Sequence, residues 1–134
     1  MTAAQVALRA LGYSWASPNS ALGVLFVPLA LISGGRLRYE RGALEIHGGF
    51  AKWFLQKVCG GVCAMTLGHV ILGVDRAALD HCRNHEHVHV EQYMRWGVLF
   101  LPMYGLSSWR CKLKGKNPYL DNYFEIEAYG KFPT

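Results

Sequence analysis

Charge is scarce in this chain. Only 17% of its 134 residues are Asp, Glu, Lys or Arg, against about a quarter in an ordinary soluble domain. Together with 51% apolar residues, that excludes an intrinsically disordered chain, which combines low hydropathy with high net charge. Cysteine is sparse as well. Cys59, Cys63, Cys82 and Cys111 form no CxxC pair, because CGGVC has one residue too many between its thiols. A disulfide-stapled scaffold is excluded, and buried or half-buried free thiols in a reducing compartment are expected. The N-terminus lacks a secretory pattern: Arg9 is its one early positive charge, and its apolar run begins only near Ser20. Neither an internal repeat nor a domain boundary is visible, so residues 1–134 read as a single domain.

What is present divides into recognisable segments. Ser17-Pro18-Asn19-Ser20 offers polar caps and a first-turn proline, and so predicts a helix start. The stretch that follows, residues 21–32, is apolar on every side and ends at Ser33-Gly34-Gly35. It is short of the ~20 residues that span a bilayer, so a buried or membrane-interfacial helix over 17–33 is expected, kinked at Pro28. RLRYERGALEIHGGFAKWF reads as two short strands joined by a hairpin turn, and MTLGHVIL as another strand. Gly73-Val74-Asp75 caps a long helix over about 76–96, closed by Gly97. A second apolar run, VLFLPMYGLSSW, leads into a basic segment over 110–116. Asn117-Pro118 then breaks the chain, and a last short helix begins near Asn122.

Four of the six histidines fall between His81 and His89. Residues 85–89, HEHVH, match H-E-x-x-H. His85 and His89 are four apart, so both imidazoles leave one helix face and can share a zinc ion. Glu86 lies about 100° further round, where it can reach a metal-bound water and take its proton without ligating the metal. The same residues admit plainer readings: a solvated histidine-rich face, or metal capture by His81, His85 and His89 at i, i+4 and i+8. His81 is otherwise a candidate supporting group, and His87 points away from the pair, toward the surface or the core edge.

A catalytic zinc needs a third protein ligand and an open position. DNYFEIEAYG supplies the candidates. Glu125 lies 36 residues beyond His89, early in the predicted short helix, and is favoured; Glu127, two residues on, faces a different side and is the competitor.

HEHVHVEQ followed by a helix with E-x-E-A resembles the gluzincin clan of zinc metallopeptidases. That resemblance implies His85, His89 and Glu125 as zinc ligands and Glu86 as general base, acting on a peptide or protein substrate. FEIEAY fits the E-x-x-A pattern of the glutamate helix, although Tyr129 replaces the usual Asp or Asn. More closely, PNSALG, LGHVILG, HEHVHVEQYMRWG and NPYLDNYFEIEAY are similar to a family of small uncharacterised bacterial HExxH proteins. By the gluzincin resemblance, LGHVILG over 67–73 would be the edge strand above the cleft, where substrate adds as a strand. His69 on it would face the cleft or serve structurally. Five residues follow Tyr129, so no C-terminal subdomain is expected to stabilise an oxyanion; Tyr104, Tyr119 and Tyr123 are the candidates for that role.

The net charge of +5 is spread over short clusters beside the two apolar runs, with no nucleic-acid motif. Arg36, Arg38 and Arg41 follow the first run; Trp109, Arg110, Lys112, Lys114 and Lys116 follow the second. Such flanks suit an anionic membrane surface, and the alternative is that both helices form core beneath the zinc site. The expected fold is α+β: a small mixed or antiparallel sheet packed on the HExxH helix, with flanking apolar helices and a short C-terminal glutamate helix. The expected location is the cytoplasm, with a peripheral place on the inner membrane if those surfaces meet lipid. The leading functional expectation is a zinc-dependent peptidase. The alternative is a non-catalytic, zinc-binding, membrane-associated scaffold held in a protein complex.

Overall fold

A computed structural model describes residues 1–132. Helix α1 runs Ala3–Val24 and α2 Phe26–Ile32; strands β1 (Arg36–Glu40) and β2 (Ala43–His47) follow, then helix α3 (Gly49–Lys57). Strands β3 (Ala64–Leu67) and β4 (Val70–Gly73) precede the long helix α4 (Arg76–Trp96). A 3-10 turn, Gly97–Leu99, leads into α5 (Phe100–Leu113), and α6 (Tyr123–Lys131) closes the described chain. The class is α+β, and the sheet is mixed: in the order β1-β2-β4-β3, the outer pairs are antiparallel and β2 runs parallel to β4.

The first helix starts well before Ser17. Thr2 caps α1 in a reciprocal capping box with Gln5, and Pro18 sits inside the helix. Its missing N–H leaves the Ser14 carbonyl free, and the Ser17 hydroxyl donates to that carbonyl at 2.7 Å. The helix therefore runs through a position that looked like its start. Pro28 has the stronger effect. Four residues before it stands Val24, and there the helix breaks, at Leu25, dividing α1 from α2. Together Ala3–Ile32 form a run of 30 residues, within which an 18-residue window has a mean hydropathy of 1.5 and is 22% buried. By length and composition alone it is long enough to cross a membrane, which corrects the shorter segment expected over 17–33.

One stripe of α1 is docked: Gly12, Ala16, Asn19 and Gly23 recur at helical spacing and are buried. The Asn19 amide donates to the Gly97 carbonyl at 2.9 Å. Gly97 ends α4 with φ of 56°, and a Cβ there would lie 2.1 Å from the Trp15 indole of α1. Gly97→Ala is therefore expected to cost about 1–3 kcal/mol from the backbone alone, with the indole clash added. Urea unfolding monitored by circular dichroism would register it as a lower midpoint.

The expected hairpin is β1–β2, turned by Arg41 and Gly42 at φ of 51° and 82°, the geometry of a two-residue type I′ turn. The rest of that segment is not strand. Gly48 and Gly49 end β2, and Phe50, Trp53 and Phe54 recur at helical spacing in α3, where Phe54 packs edge-on to Phe26 of α2 at 4.9 Å. MTLGHVIL likewise divides in two: Gly68 (φ 62°) turns β3 back on β4, and the Ser20 hydroxyl of α1 accepts the His69 N–H at 2.9 Å. β3 is thus the edge strand, whereas residues 67–73 contribute mainly the turn and the inner strand β4. This corrects the edge-strand expectation for LGHVILG.

α4 lies across the sheet. Asp75 caps it, accepting the Ala78 N–H at 2.7 Å, and Leu79 packs with Ala43, Ile71 and Val90. The buried Glu45 of β2 holds Arg83 of α4 through two bonds of 2.8 and 2.9 Å. A second core of Ala16, Tyr93, Phe100 and Phe124 joins α1, α4, α5 and α6. Asn122, fully buried, caps α6 and donates to the Tyr104 carbonyl and the Ser108 hydroxyl of α5. The four cysteines are free thiols; Cys59, Cys82 and Cys111 are buried or half-buried as expected, whereas Cys63 is exposed, its Sγ 2.9 Å from Cys82 Sγ.

Candidate metal centre

Two helices build the site. α4 presents His85 and His89 one turn apart on a buried face, with ring centroids 5.0 Å apart. α6, fixed by its Asn122 cap, brings Glu125 against them. Glu125 Oε2 lies 3.0 Å from His85 Nε2, and Oε1 lies 3.2 Å from His89 Nε2. One ligand atom from each of the three residues lies within 4.8 Å of the other two. Glu127 takes no part in this cluster. Its carboxylate accepts from the Gln92 amide at 2.8 Å and from Arg95.

The groups around the cluster orient it. Gln92 donates its amide N–H groups to the Phe124 carbonyl and to Glu127, so its Oε1 is left to accept the His89 Nδ1–H at 2.7 Å. That bond assigns the proton of a neutral His89 to Nδ1 and turns the Nε2 lone pair toward Glu125. Tyr104 of α5 donates its hydroxyl to Glu125 Oε1 at 2.8 Å. Glu86 is buried beside the cluster, and its Oε2 accepts the Thr66 hydroxyl from edge strand β3 at 2.6 Å. The Tyr93 hydroxyl, also from α4, donates to the Thr66 carbonyl at 2.9 Å. β3 is thereby pinned alongside the two carboxylates.

The electrostatics divide those carboxylates. Burial pushes Glu86 above the usual carboxylate range, only partly offset by His89 and the Thr66 hydroxyl. Burial acts on Glu125 in the same sense, but hydrogen bonds from His85, His89 and Tyr104 outweigh it and hold its carboxyl at about 2. His89 answers in kind: burial opposes its charge, yet Glu125 and Glu86 raise it to about 9. Without a cation, a proton on His89 thus offsets the buried negative charge of Glu125. Two imidazole nitrogens and a carboxylate oxygen, all buried and converging, form a donor set that fits a divalent cation in place of that proton.

Glu86, His89 and Glu125 open onto a cavity of about 250 Å³ whose walls include Val62, Met65 and Leu67 from the β3 side and Phe100, Leu101 and Tyr104 from α5. Of the remaining candidates, Tyr104 and Tyr119 line this cavity, whereas Tyr123 is exposed and does not. His81 is exposed outside the cluster. His87 is half-buried at the core edge. His69 stacks on Tyr13 of α1, centroids 3.8 Å apart, and lines no part of the cavity.

No family model, curated protein or solved structure matches the chain. The site is therefore read from its own geometry. Gln92 and Thr66 were not anticipated from the sequence. Gln92 carried a faint signal, its i+3 spacing from His89 on one helix face; Thr66 carried none, because its contact with Glu86 exists only once β3 packs on α4.

Proposed function

We propose that the protein is a zinc-dependent hydrolase of gluzincin type that cleaves peptide bonds. The observation that carries the reading is the convergence of one candidate ligand atom each from His85, His89 and Glu125 within 4.8 Å of one another, with a fourth buried residue, Glu86, on the same cavity. Zinc held there by His85, His89 and Glu125 would supply an acidic water and a Lewis acid for the scissile carbonyl. Glu86 receives the proton as general base, and its raised proton affinity, set by burial, suits it to pass that proton to the leaving amine. Thr66 fixes the Glu86 carboxyl through Oε2, leaving Oε1 for the reaction. Gln92 keeps His89 in the ligating tautomer. Tyr104, whose hydroxyl sits on Glu125 at the cavity wall, is the group we assign to stabilising developing negative charge. Edge strand β3 offers its backbone to an extended substrate, and the apolar walls favour an apolar side chain beside the cleaved bond.

The test is zinc analysis of the purified protein, followed by hydrolysis of a fluorescence-quenched peptide set. One zinc per chain, with activity removed by a chelator and restored by zinc, is the expected result. Zinc well below one per chain would remove the proposal. Gln92→Met, which keeps the volume but removes the acceptor, is expected to weaken zinc about 10- to 100-fold. Competition against a chromophoric chelator would measure this on the folded variant.

A second reading is favoured by the many large apolar side chains exposed on α1, α2 and α5. In that reading the same zinc site is structural, within a non-catalytic membrane-associated subunit. Stoichiometric zinc without turnover would point to it.

A further inference from the structure

We infer that the groove between α5 and α6 seats the headgroup of an anionic phospholipid, holding the protein on a bilayer. The inference does not rest on the metal site, which lies on a different cavity. The groove has a volume of about 500 Å³, and its lining includes Arg110, Lys114 and Lys116. All three are exposed, and none pairs with a carboxylate within 4 Å among the described residues. Asp121 also lines the groove, its Oδ2 accepting the Asn117 N–H at 2.8 Å, so three cations stand there against one carboxylate. Three unpaired cations facing one concavity form a seat for a phosphate group.

The surroundings select lipid over nucleic acid. The groove carries Leu106 and Ile126 as exposed aliphatic side chains, and Trp109 and Leu113 stand exposed on the same helix. Nucleic acid offers exposed aliphatic groups little beyond a thymine methyl, whereas acyl chains offer a continuous apolar phase. The order along α5 also matches an interface: apolar residues at its N-terminal end, then Trp109, then cations at its C-terminal end. This apolar surface does not stop at α5. Val98, Leu99 and Leu101 are exposed, and Trp15 of α1 packs at Gly97 beside them. The 3-10 turn Gly97–Leu99, with Val98 and Leu99 exposed, thus links α5 to α1 of the apolar run Ala3–Ile32. A bilayer covers such a surface while its headgroups meet the cations.

The experiment is co-sedimentation of the full chain with phosphatidylcholine vesicles, with and without about 30% phosphatidylglycerol, at about 0.1 and 0.5 M salt. Phosphatidylglycerol is expected to raise partitioning on the order of a hundredfold at low salt, and high salt to remove most of that gain. R110Q/K114Q/K116Q is expected to bind both vesicles alike. K52Q/K57Q/R76Q, which removes equal charge from exposed sites elsewhere, is expected to keep the preference. Circular dichroism verifies that both variants fold. Equal partitioning of the wild type on the two vesicles overturns the inference, as does equal loss in both triple variants, which would indicate net charge alone. Tighter binding of a single-stranded oligonucleotide than of phosphatidylglycerol vesicles would overturn it in favour of nucleic acid.

Discussion

Zinc is expected to leave with Glu125→Gln and to remain with Glu127→Ala. Glu125 places one oxygen against each histidine, at 3.0 and 3.2 Å, while Glu127 faces Gln92 and Arg95. Glutamine keeps the volume and an oxygen for the Tyr104 hydroxyl, so the variant folds, but it carries no charge to neutralise a cation in a buried site. The affinity lost should exceed the 10- to 100-fold typical of removing an outer partner. Zinc per chain after dialysis reports the difference directly. Thermal unfolding gives an independent measure, since a ligand at about a thousand times its dissociation constant adds ~4 kcal/mol. Chelation should therefore lower the wild-type midpoint by on the order of 10 °C and leave Glu125→Gln unmoved. Glu127→Ala removes one acceptor from Gln92, which keeps its bond to the Phe124 carbonyl, so only a small loss of stability is expected, on the order of 1 kcal/mol. If Glu127→Ala alone lost zinc, the assignment of the third ligand would be reversed.

How far this site was legible follows from how local each part is. The i, i+4 pair and its neighbour Glu86 are consequences of helix periodicity, which the sequence displays. The choice between Glu125 and Glu127 is a question of helix phase, and two residues turn a side chain through about 200°; Asn122 as cap sets where that phase begins. Groups that reach the site from other elements, Thr66 from β3 and Tyr104 from α5, depend on packing that no spacing encodes. The fold divides the same way. The α4 boundaries are written in Asp75 and Gly97, which act within a turn of themselves. The start of α1 was hidden because Ser17 repairs, inside the helix, the carbonyl that Pro18 leaves free. The β3–β4 turn was hidden because Gly68-His69 sits inside an apolar run, and its turn is held from outside by Ser20 of α1. Tertiary contacts override local pattern in both places.

Glu86→Gln is expected to lower turnover 10²- to 10⁴-fold while leaving zinc and fold in place. The two consequences separate because the carboxyl has separate roles. Structurally, Glu86 needs only an acceptor for the Thr66 hydroxyl, and the glutamine oxygen supplies one. Its charge is a cost to the folded state, since burial disfavours the ionised form; an amide of the same shape removes that cost, so stability should hold or rise. Chemically, the amide cannot take a proton from water, and about 3–5 kcal/mol of transition-state stabilisation is lost. KM should change little, because Glu86 acts on the reacting atoms rather than on the apolar walls that hold the substrate. Steady-state kinetics beside a denaturation curve test both halves. Unchanged turnover in a folded, zinc-loaded Glu86→Gln variant would remove Glu86 as the general base, whereas zinc without turnover in the wild type would favour the scaffold reading. Parallel loss of stability and activity would mean that the Thr66 contact, and with it the position of edge strand β3, depends on the charge after all.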